Sequence, residues 1–435
     1  MKAFAVTGRP IGFSRSPDLF NKAFAAASID AAYTRLACAS AGEAVQIAKD
    51  LGLDGFNVTS PFKESIVPLL DSLDATAVST GAVNTVVNRN GRFKGSNTDV
   101  EGVMGALHAA GVEVRGRRAL VLGAGGAGKA AAYALRKGGA SRVAIANRTD
   151  ARAREAASVL RCDWVRAADV TDETADADII VSCLPAGASL IEHGSLLRGR
   201  AVLDASYRGS MLAGGAGTWG YRFVGGTEWL VHQAAAGFRH FTGVEAPVPA
   251  MRNAADEFSG RDNGRDSRVV LVGFMGAGKS TVGPLLARRL GFEFHDIDWC
   301  VEGMTGADVA TVFRTKGEAF FRAAESSELK RLAVRSNVVI AAGGGAVLSE
   351  ENRELLASSC TVVWLAAPFP ACVRRAGGPA RPLLHGKDES EARRLFDERL
   401  PLYLSTSDIV FDSAAVPAGE LTERIAGEIG FAIAR

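Results

Sequence analysis

Residues 269–286 read VVLVGFMGAGKSTVGPLL, and residues 119–135 read ALVLGAGGAGKAAAYAL. Both hold GAGK, at 276–279 and at 126–129, and in both an apolar run precedes it and a helix-like stretch follows. The two differ at the next residue. Ser280 follows Lys279, so the stretch from Gly273 through Gly276, Ala277, Gly278, Lys279, Ser280 and Thr281 meets GxxxxGK[ST] in full. In such a loop consecutive backbone N–H groups cradle phosphates, the lysine reaches the outer phosphates and the hydroxyl holds Mg²⁺. Ala130 follows Lys129 and has no hydroxyl to offer. The earlier loop instead meets GxGxxG, through Gly123, Gly125, Gly126 and Gly128. Its glycines permit a tight turn and close approach to a pyrophosphate at a helix N-terminus. The shared letters therefore serve two devices, one loop for a dinucleotide and one for a nucleoside triphosphate. Asn147, Arg148 and Thr149 end the next strand-like run, RVAIANR. A cation where an NAD site usually offers an acid suits a 2′-phosphate, so the dinucleotide is read as NADP(H).

Composition sets the bounds. A chain of 435 residues is long for one domain, and about three are expected from length. Hydrophobic residues make up 47% and aromatics 7%, as in a globular Ala/Gly-rich α/β protein. A formal net charge of +2 gives no footprint for nucleic acid. The cysteines (38, 162, 183, 300, 360 and 372) include no CxxC pair, which fits free thiols in a reducing compartment and a cytoplasmic location. The first apolar run is too short for a signal peptide, and no window approaches the uninterrupted apolar length of a membrane span. Composition leaves the oligomeric state open.

Short apolar runs, KAFAVTG, GFNVTS, RALVLGAG, RVAIANR, DIIVSCL and AVLDASY, read as buried strands. Helical patterns such as SPDLFNKAFAAA and GKAAAYALRKGG lie between them, and the second ends at Gly138–Gly139 as a helix cap does. Such alternation predicts an α/β fold with parallel sheets and helices on both faces. The polar stretch after Met251 breaks the rhythm, and residues 259–267 read as a linker with few contacts crossing it. The expected organisation is an α/β substrate domain over 1–101, a Rossmann NADP domain over 102–258, then a P-loop kinase domain over 268–435.

Four polar clusters precede the first glycine loop: Ser14-Arg-Ser16-Pro17, Asn57-Val-Thr59-Ser-Pro61-Phe-Lys63, Gly81-Ala-Val-Asn84-Thr85 and Asn97-Thr-Asp99. In this order they closely resemble the shikimate dehydrogenase family, over roughly residues 1–258. Reducing a ketone by hydride needs a proton donor at the carbonyl oxygen, and Lys63 beside Asp99 can hold, orient and protonate it. The resemblance implies that Ser14 and Ser16 take the substrate carboxylate. It implies that Lys63, Asn84 and Asp99 meet ring oxygens, with Thr59 a further hydrogen-bonding group. Tyr207 and Gln233 match family substrate positions, and Gly226 falls where the family contacts the nicotinamide carboxamide. Around the nicotinamide the sequence departs from the family. Ser182-Cys183-Leu184-Pro185 replaces an Asn-Ala-Ser/Thr segment, Arg208-Gly209-Ser210 follows Tyr207, and Trp229 stands for a flexible Met.

From about 268 to 435 the chain resembles shikimate kinase. The motifs, in order, are the P-loop, Asp296-Ile-Asp298, Phe321-Arg322-Ala-Ala-Glu325, Gly343-Gly344-Gly345, Arg381-Pro-Leu-Leu in a lid-like stretch, and Arg399-Leu-Pro-Leu-Tyr403. Phosphoryl transfer is mostly positioning and charge neutralisation. Ser280 and Asp296 can serve Mg²⁺, and Lys279 and Arg381 can meet charge on the transferring group. Arg322 and Arg399 can clamp a carboxylate with a fork that lysine lacks. Asp298 can accept from ring hydroxyls and take the proton, and Gly343, Gly344 and Gly345 let backbone approach the ring. Arg375 is carried over as an adenine contact. The two resemblances together imply a bifunctional enzyme. It would reduce 3-dehydroshikimate to shikimate with NADPH, then phosphorylate shikimate with ATP, toward chorismate. A quinate/shikimate dehydrogenase fused to another small-molecule kinase, or one half serving as a ligand-sensing module, are the alternatives.

Overall fold

The computed structural model describes residues 1–185, 187–191, 193–207, 209–257, 267–376 and 389–433, with backbone only at 430–433. The linker positions up to 266, Arg208 and Arg381 lie outside the described residues. By contacts the chain forms two compact units, one of Met1–Pro17, Asp30–Leu53 and Ser259–Arg435, the other of Asp18–Ile29 and Asp54–Phe258.

In the first unit a parallel sheet runs in the order Glu293–Asp296, Val338–Ala341, Arg268–Val272, Thr361–Ala366, Ile409–Asp412, Ala31–Ala37, Lys2–Gly8. Val269, Val270 and Leu271 are fully buried, as a strand covered on both faces demands. This strand delivers the chain into the phosphate loop, and helix Lys279–Leu290 begins at the loop's lysine.

The unit joins segments that the sequence reading keeps on opposite sides of the linker. Ile409–Asp412 would be an edge strand without Ala31–Ala37, and an open edge leaves backbone N–H and C=O groups unpaired. The two strands pair in parallel, with Ile409 opposite Arg35. Thr34 Oγ1 donates to Ser407 O at 2.8 Å and Arg35 Nη1 to Asp408 O at 3.2 Å. Helix Ala418–Ile433 adds an ion pair from Arg424 to Glu43 at 3.0 Å. From the same helix Glu428 Oε2 accepts the N–H groups of Ile11 and Gly12, both at 2.7 Å. Contacts therefore do cross the linker, contrary to the expectation of separate halves.

The second unit holds two sheets. One runs Gly55–Val58, Thr85–Arg89, Arg92–Ser96, Ser72–Leu73. Its first two pairings are antiparallel, unlike the parallel sheets that the alternation of elements predicts for the chain at large. The second of these pairings follows from a two-residue hairpin loop, Asn90-Gly91, with φ of 55° and 82°. Asn-Gly at positive φ is the preferred type I′ turn, and it forces the chain straight back.

The other sheet is six-stranded and parallel, in the order Arg222–Val224, Ala201–Asp204, Ile179–Ser182, Arg118–Leu122, Arg142–Ala146, Asp163–Val165. Connections leave Arg118–Leu122 first to one side and later to the other. Ligands bind beyond the carboxyl ends of strands at such a switch point. Helix Gly126–Lys137 follows, its buried face built of Ala130, Ala131, Ala132 and Ala134. Small residues there let the helix lie close against the sheet. No described helix is long and apolar enough to cross a membrane.

Candidate active sites

The dinucleotide loop occupies the switch point. A methyl group on Gly128 would stand 1.9 Å from Gly123 O, so only glycine fits where the helix starts. Asn147 fixes the loop from the next strand, accepting the N–H of Ala124 at 3.3 Å and donating to Thr149 O at 3.1 Å. Arg148 beside it is exposed, where a 2′-phosphate can be met. Gly226 starts helix Gly226–Thr242, and a Cβ there would lie 2.7 Å from Ala205 O. These residues fit a dinucleotide.

Next to that loop lies the lysine–aspartate pair. A Cβ on Gly126 would be 3.1 Å from Lys63 Cβ. Lys63 Nζ donates to Asp99 Oδ2 at 2.5 Å, with the two side chains 16% and 6% exposed. Asp99 is the first residue of helix Asp99–Ala109, where the free N–H groups and the helix dipole favour a carboxylate. Its backbone N–H is held by Asn97 Oδ1 at 3.2 Å, and its Oδ1 accepts from Trp229 Nε1 at 3.3 Å. The Cys183 thiol shares this environment. Burial, reinforced by the charge of Asp99, pushes its pKa well up and keeps it protonated.

Asn84 belongs to a buried network. Its Oδ1 accepts from Thr98 N at 2.8 Å, Thr98 Oγ1 at 3.0 Å and Thr85 Oγ1 at 3.0 Å, while Asn57 Nδ2 reaches Thr85 Oγ1 at 2.9 Å. With its oxygen engaged, Asn84 directs its Nδ2 at Gln233 Oε1, 2.9 Å away. Two residues expected at the substrate thus orient one another. Thr59 and Tyr207 are half-buried. In the first unit, Ser14 and Ser16 are almost fully buried and their hydroxyls face each other at 3.4 Å. Arg35 clamps that turn by donating through Nε and Nη2 to Ser14 O, at 3.0 and 2.6 Å.

The phosphate loop lies wholly in the first unit. A Cβ on Gly276 would fall 2.2 Å from Cys372 O, and the residue has φ of 80°. Lys279 is buried, with Nζ donating to Gly273 O at 2.7 Å and Phe274 O at 3.2 Å. Ser280 Oγ donates to Asp296 Oδ2 at 2.6 Å. A hydroxyl and a carboxylate side by side suit Mg²⁺, which keeps several waters and takes few protein oxygens. Asp296 also caps the helix that carries Asp298, accepting the Asp298 N–H at 3.0 Å.

Beside the loop is a cleft of about 210 Å³ whose lining includes Ser280, Asp296, Asp298, Arg322, Glu325 and Arg399. Arg322 donates through Nη1 to Glu325 Oε2 at 2.8 Å and through Nη2 to Glu318 Oε1 at 3.1 Å. Burial lowers the pKa of this guanidinium, but the two carboxylates outweigh it and raise the pKa overall. Burial also raises the Glu325 carboxyl, against the pull of Arg322. Arg399 is 3% exposed and donates to Gly344 O at 3.2 Å, with Tyr403 OH on the same oxygen at 2.6 Å. The triple glycine has a steric reason. A Cβ on Gly343 would lie 2.0 Å from Glu325 Oε1, and one on Gly345 2.4 Å from Arg322 Nη1. Arg375 donates to Ser413 O at 3.2 Å.

Some features of the sites had weak or no signal in sequence. Glu325 sits three residues after Arg322 on one helical face, so its pairing was available from spacing. Phe313, which also lines the cleft, reads as an ordinary apolar helix residue. The indole on Asp99 had no local signal.

Fold and sites together place the chain among enzymes that join a pyridine-nucleotide oxidoreductase to a P-loop phosphotransferase. Comparison with known families narrows this class. Residues 6–86 match the shikimate dehydrogenase substrate binding domain, 106–204 shikimate / quinate 5-dehydrogenase, and 226–255 the shikimate 5'-dehydrogenase C-terminal domain. Residues 275–429 match shikimate kinase. The chain belongs to the shikimate dehydrogenase family and carries a shikimate kinase domain C-terminal to it. It is 36% identical over 278 residues to the shikimate dehydrogenase (NADP(+)) of Moorella thermoacetica, spanning 60% of this chain and 94% of that one. A Thermus thermophilus shikimate 5-dehydrogenase solved with NADP(H) and shikimate is 32% identical, with a TM-score of 0.54 over 59% of this chain and 99% of that one. A Corynebacterium glutamicum quinate dehydrogenase solved with NAD is 29% identical, with a TM-score of 0.55 over 59% of this chain and 99% of that one.

Proposed function

We propose that the chain catalyses two consecutive reactions, the reduction of 3-dehydroshikimate to shikimate and the phosphorylation of shikimate at its 3-hydroxyl. The observation that carries the first is the Lys63–Asp99 pair, 2.5 Å apart and packed against the dinucleotide loop. NADPH, when bound, supplies the hydride. Lys63 gives a proton to the carbonyl oxygen, and Asp99 holds the ammonium in place. Asn84, oriented by its network, and Gln233, Thr59 and Tyr207 hold ring hydroxyls, while Ser14 and Ser16 take the carboxylate. Gly123, Gly125, Gly126, Gly128, Asn147, Arg148, Thr149 and Gly226 hold the cofactor.

In the second reaction Arg322 and Arg399 bind the carboxylate, and Asp298 accepts the proton of the attacking hydroxyl. Gly343, Gly344 and Gly345 let the ring approach the backbone. ATP with Mg²⁺ supplies the phosphoryl group. Gly276 to Thr281 cradle its phosphates, Ser280 and Asp296 hold the metal, Lys279 and Arg381 neutralise charge, and Arg375 contacts adenine. Functionally the segments are 1–101 for dehydrogenase substrate, 102–258 for NADP(H) and 268–435 for the kinase, and the enzyme works in the cytoplasm. No disulfide joins any of the cysteines, in support of a reducing compartment.

A coupled assay tests the proposal. Purified protein given 3-dehydroshikimate, NADPH, ATP and Mg²⁺ should oxidise NADPH and form shikimate 3-phosphate. Absence of either product overturns the corresponding half. The quinate dehydrogenase likeness favours one second reading, activity on quinate, and the same protein assayed with quinate and NAD decides it.

A further inference from the structure

Helix Gly226–Thr242 lies along helix Asp99–Ala109. Gly102 makes the approach possible, since a Cβ there would sit 2.6 Å from Trp229 Cδ1 and 2.8 Å from Gln233 Cβ. The space left by the missing side chain is filled by the Trp229 indole, which is 4% exposed. Its Nε1 donates to Asp99 Oδ1 at 3.3 Å, while Lys63 Nζ holds Oδ2 at 2.5 Å. Each carboxylate oxygen thus has its own donor, and the two donors come from different segments of the chain. The carboxylate cannot turn about its terminal torsion without breaking both bonds. The indole N–H is a donor only and does not titrate, so it orients Asp99 without competing for the proton being delivered. Buried indole N–H groups need a partner, so the constraint works in both directions.

We propose that Trp229 is a positioning residue of the dehydrogenase: it fixes the Asp99 carboxylate so that the oxygen facing Lys63 stays aimed at the ammonium. This rests on the reading of Lys63 and Asp99 as the proton-handling pair. With the indole donor gone, the carboxylate samples other orientations. Lys63 then spends less time aimed at the carbonyl oxygen, and the proton step slows.

Trp229→Phe removes the donor and keeps most of the apolar volume. Trp229→Met, the flexible residue more usual in the family, is the second variant. Both should lower the turnover rate of the dehydrogenase reaction by roughly tenfold, the size of one hydrogen bond to a charged group. The solvent deuterium isotope effect on that rate should rise, because proton delivery becomes more rate-limiting. The Michaelis constant for NADPH should stay within about two-fold, because the indole N–H is spent on Asp99 and not on the cofactor. Circular dichroism and thermal melting of each variant, beside the wild type, report that the protein is folded. A wild-type turnover rate and isotope effect in either folded variant overturns the inference. So does a raised NADPH Michaelis constant with unchanged turnover, which makes the indole a cofactor contact. A wild-type protein without dehydrogenase activity refutes the proposed function instead.

Discussion

Glu428 sits on a helix of the kinase portion and holds the turn that leads to Ser14 and Ser16. Its Oε2 accepts two backbone N–H groups, from Ile11 and Gly12, at 2.7 Å each. Hydrogen bonds to a charged group contribute about 1.5–3 kcal/mol each. The carboxylate is half-buried, so in Glu428→Ala the freed N–H groups recover part of this from water, and the net loss is about 2 kcal/mol. The turn would then be ordered less of the time. If it must be ordered for Ser14 and Ser16 to hold a carboxylate, the apparent affinity falls by that fraction, up to about 30-fold. Arg35 still clamps Ser14 O from the other side, so the Michaelis constant for the dehydrogenase substrate should rise by about 5- to 30-fold, with turnover little changed. Glu428→Gln keeps an acceptor and should recover most of the loss. The assay is steady-state kinetics of both reactions on the full chain, with thermal melting alongside. Kinase parameters should stay within about two-fold, because Glu428 is not among the cleft residues. An unchanged dehydrogenase Michaelis constant in Glu428→Ala would refute the link between the kinase helix and the substrate turn.

Arg148→Ala should raise the Michaelis constant for NADPH by roughly 10- to 150-fold and leave NADH nearly unchanged, the size of lost charge-assisted bonds to a 2′-phosphate. Equal losses with both cofactors would remove Arg148 from that role. Lys63→Ala should lower dehydrogenase turnover by roughly 10²–10⁴-fold with a smaller change in substrate affinity, and a purely affinity-based loss would make it a binding residue. Hydrogen bonds from Arg252 hold Glu228 below the usual carboxylate range, with both at 3.0 Å. The folded state therefore binds this proton less readily than the unfolded one. The stabilisation is complete above the unfolded carboxylate pKa and is lost as pH falls through the lower folded value. Melting temperatures measured from about pH 6 down to about pH 3 should fall less steeply in Glu228→Gln than in the wild type, and parallel curves would dismiss the pair.

Local chemistry settled much of this protein before any contact was known. A hydroxyl or a methyl after GAGK separates a magnesium-holding loop from a dinucleotide loop, because the difference lies in one side chain's bonding groups. Apolar runs and helix caps marked the alternating elements for the same reason, since each depends on residues adjacent in sequence. The structure places Lys63 on Asp99, two groups whose chemistry already set them side by side without any distance, and it packs Arg322 on Gly345, a contact with no signal in the motif order. Other features depended on residues far apart in the chain. Asn90-Gly91 was legible as a turn signal, yet its consequence, antiparallel pairing inside an α/β unit, emerges only when both strands are laid down. The indole on Asp99 needs Gly102 on the facing helix to make room, a complementarity with no trace in spacing. The pairing of Ala31–Ala37 with Ile409–Asp412 is the clearest case. Backbone N–H and C=O groups carry no side-chain identity, so a strand edge does not announce which partner will cover it. Only the tertiary fold decides that.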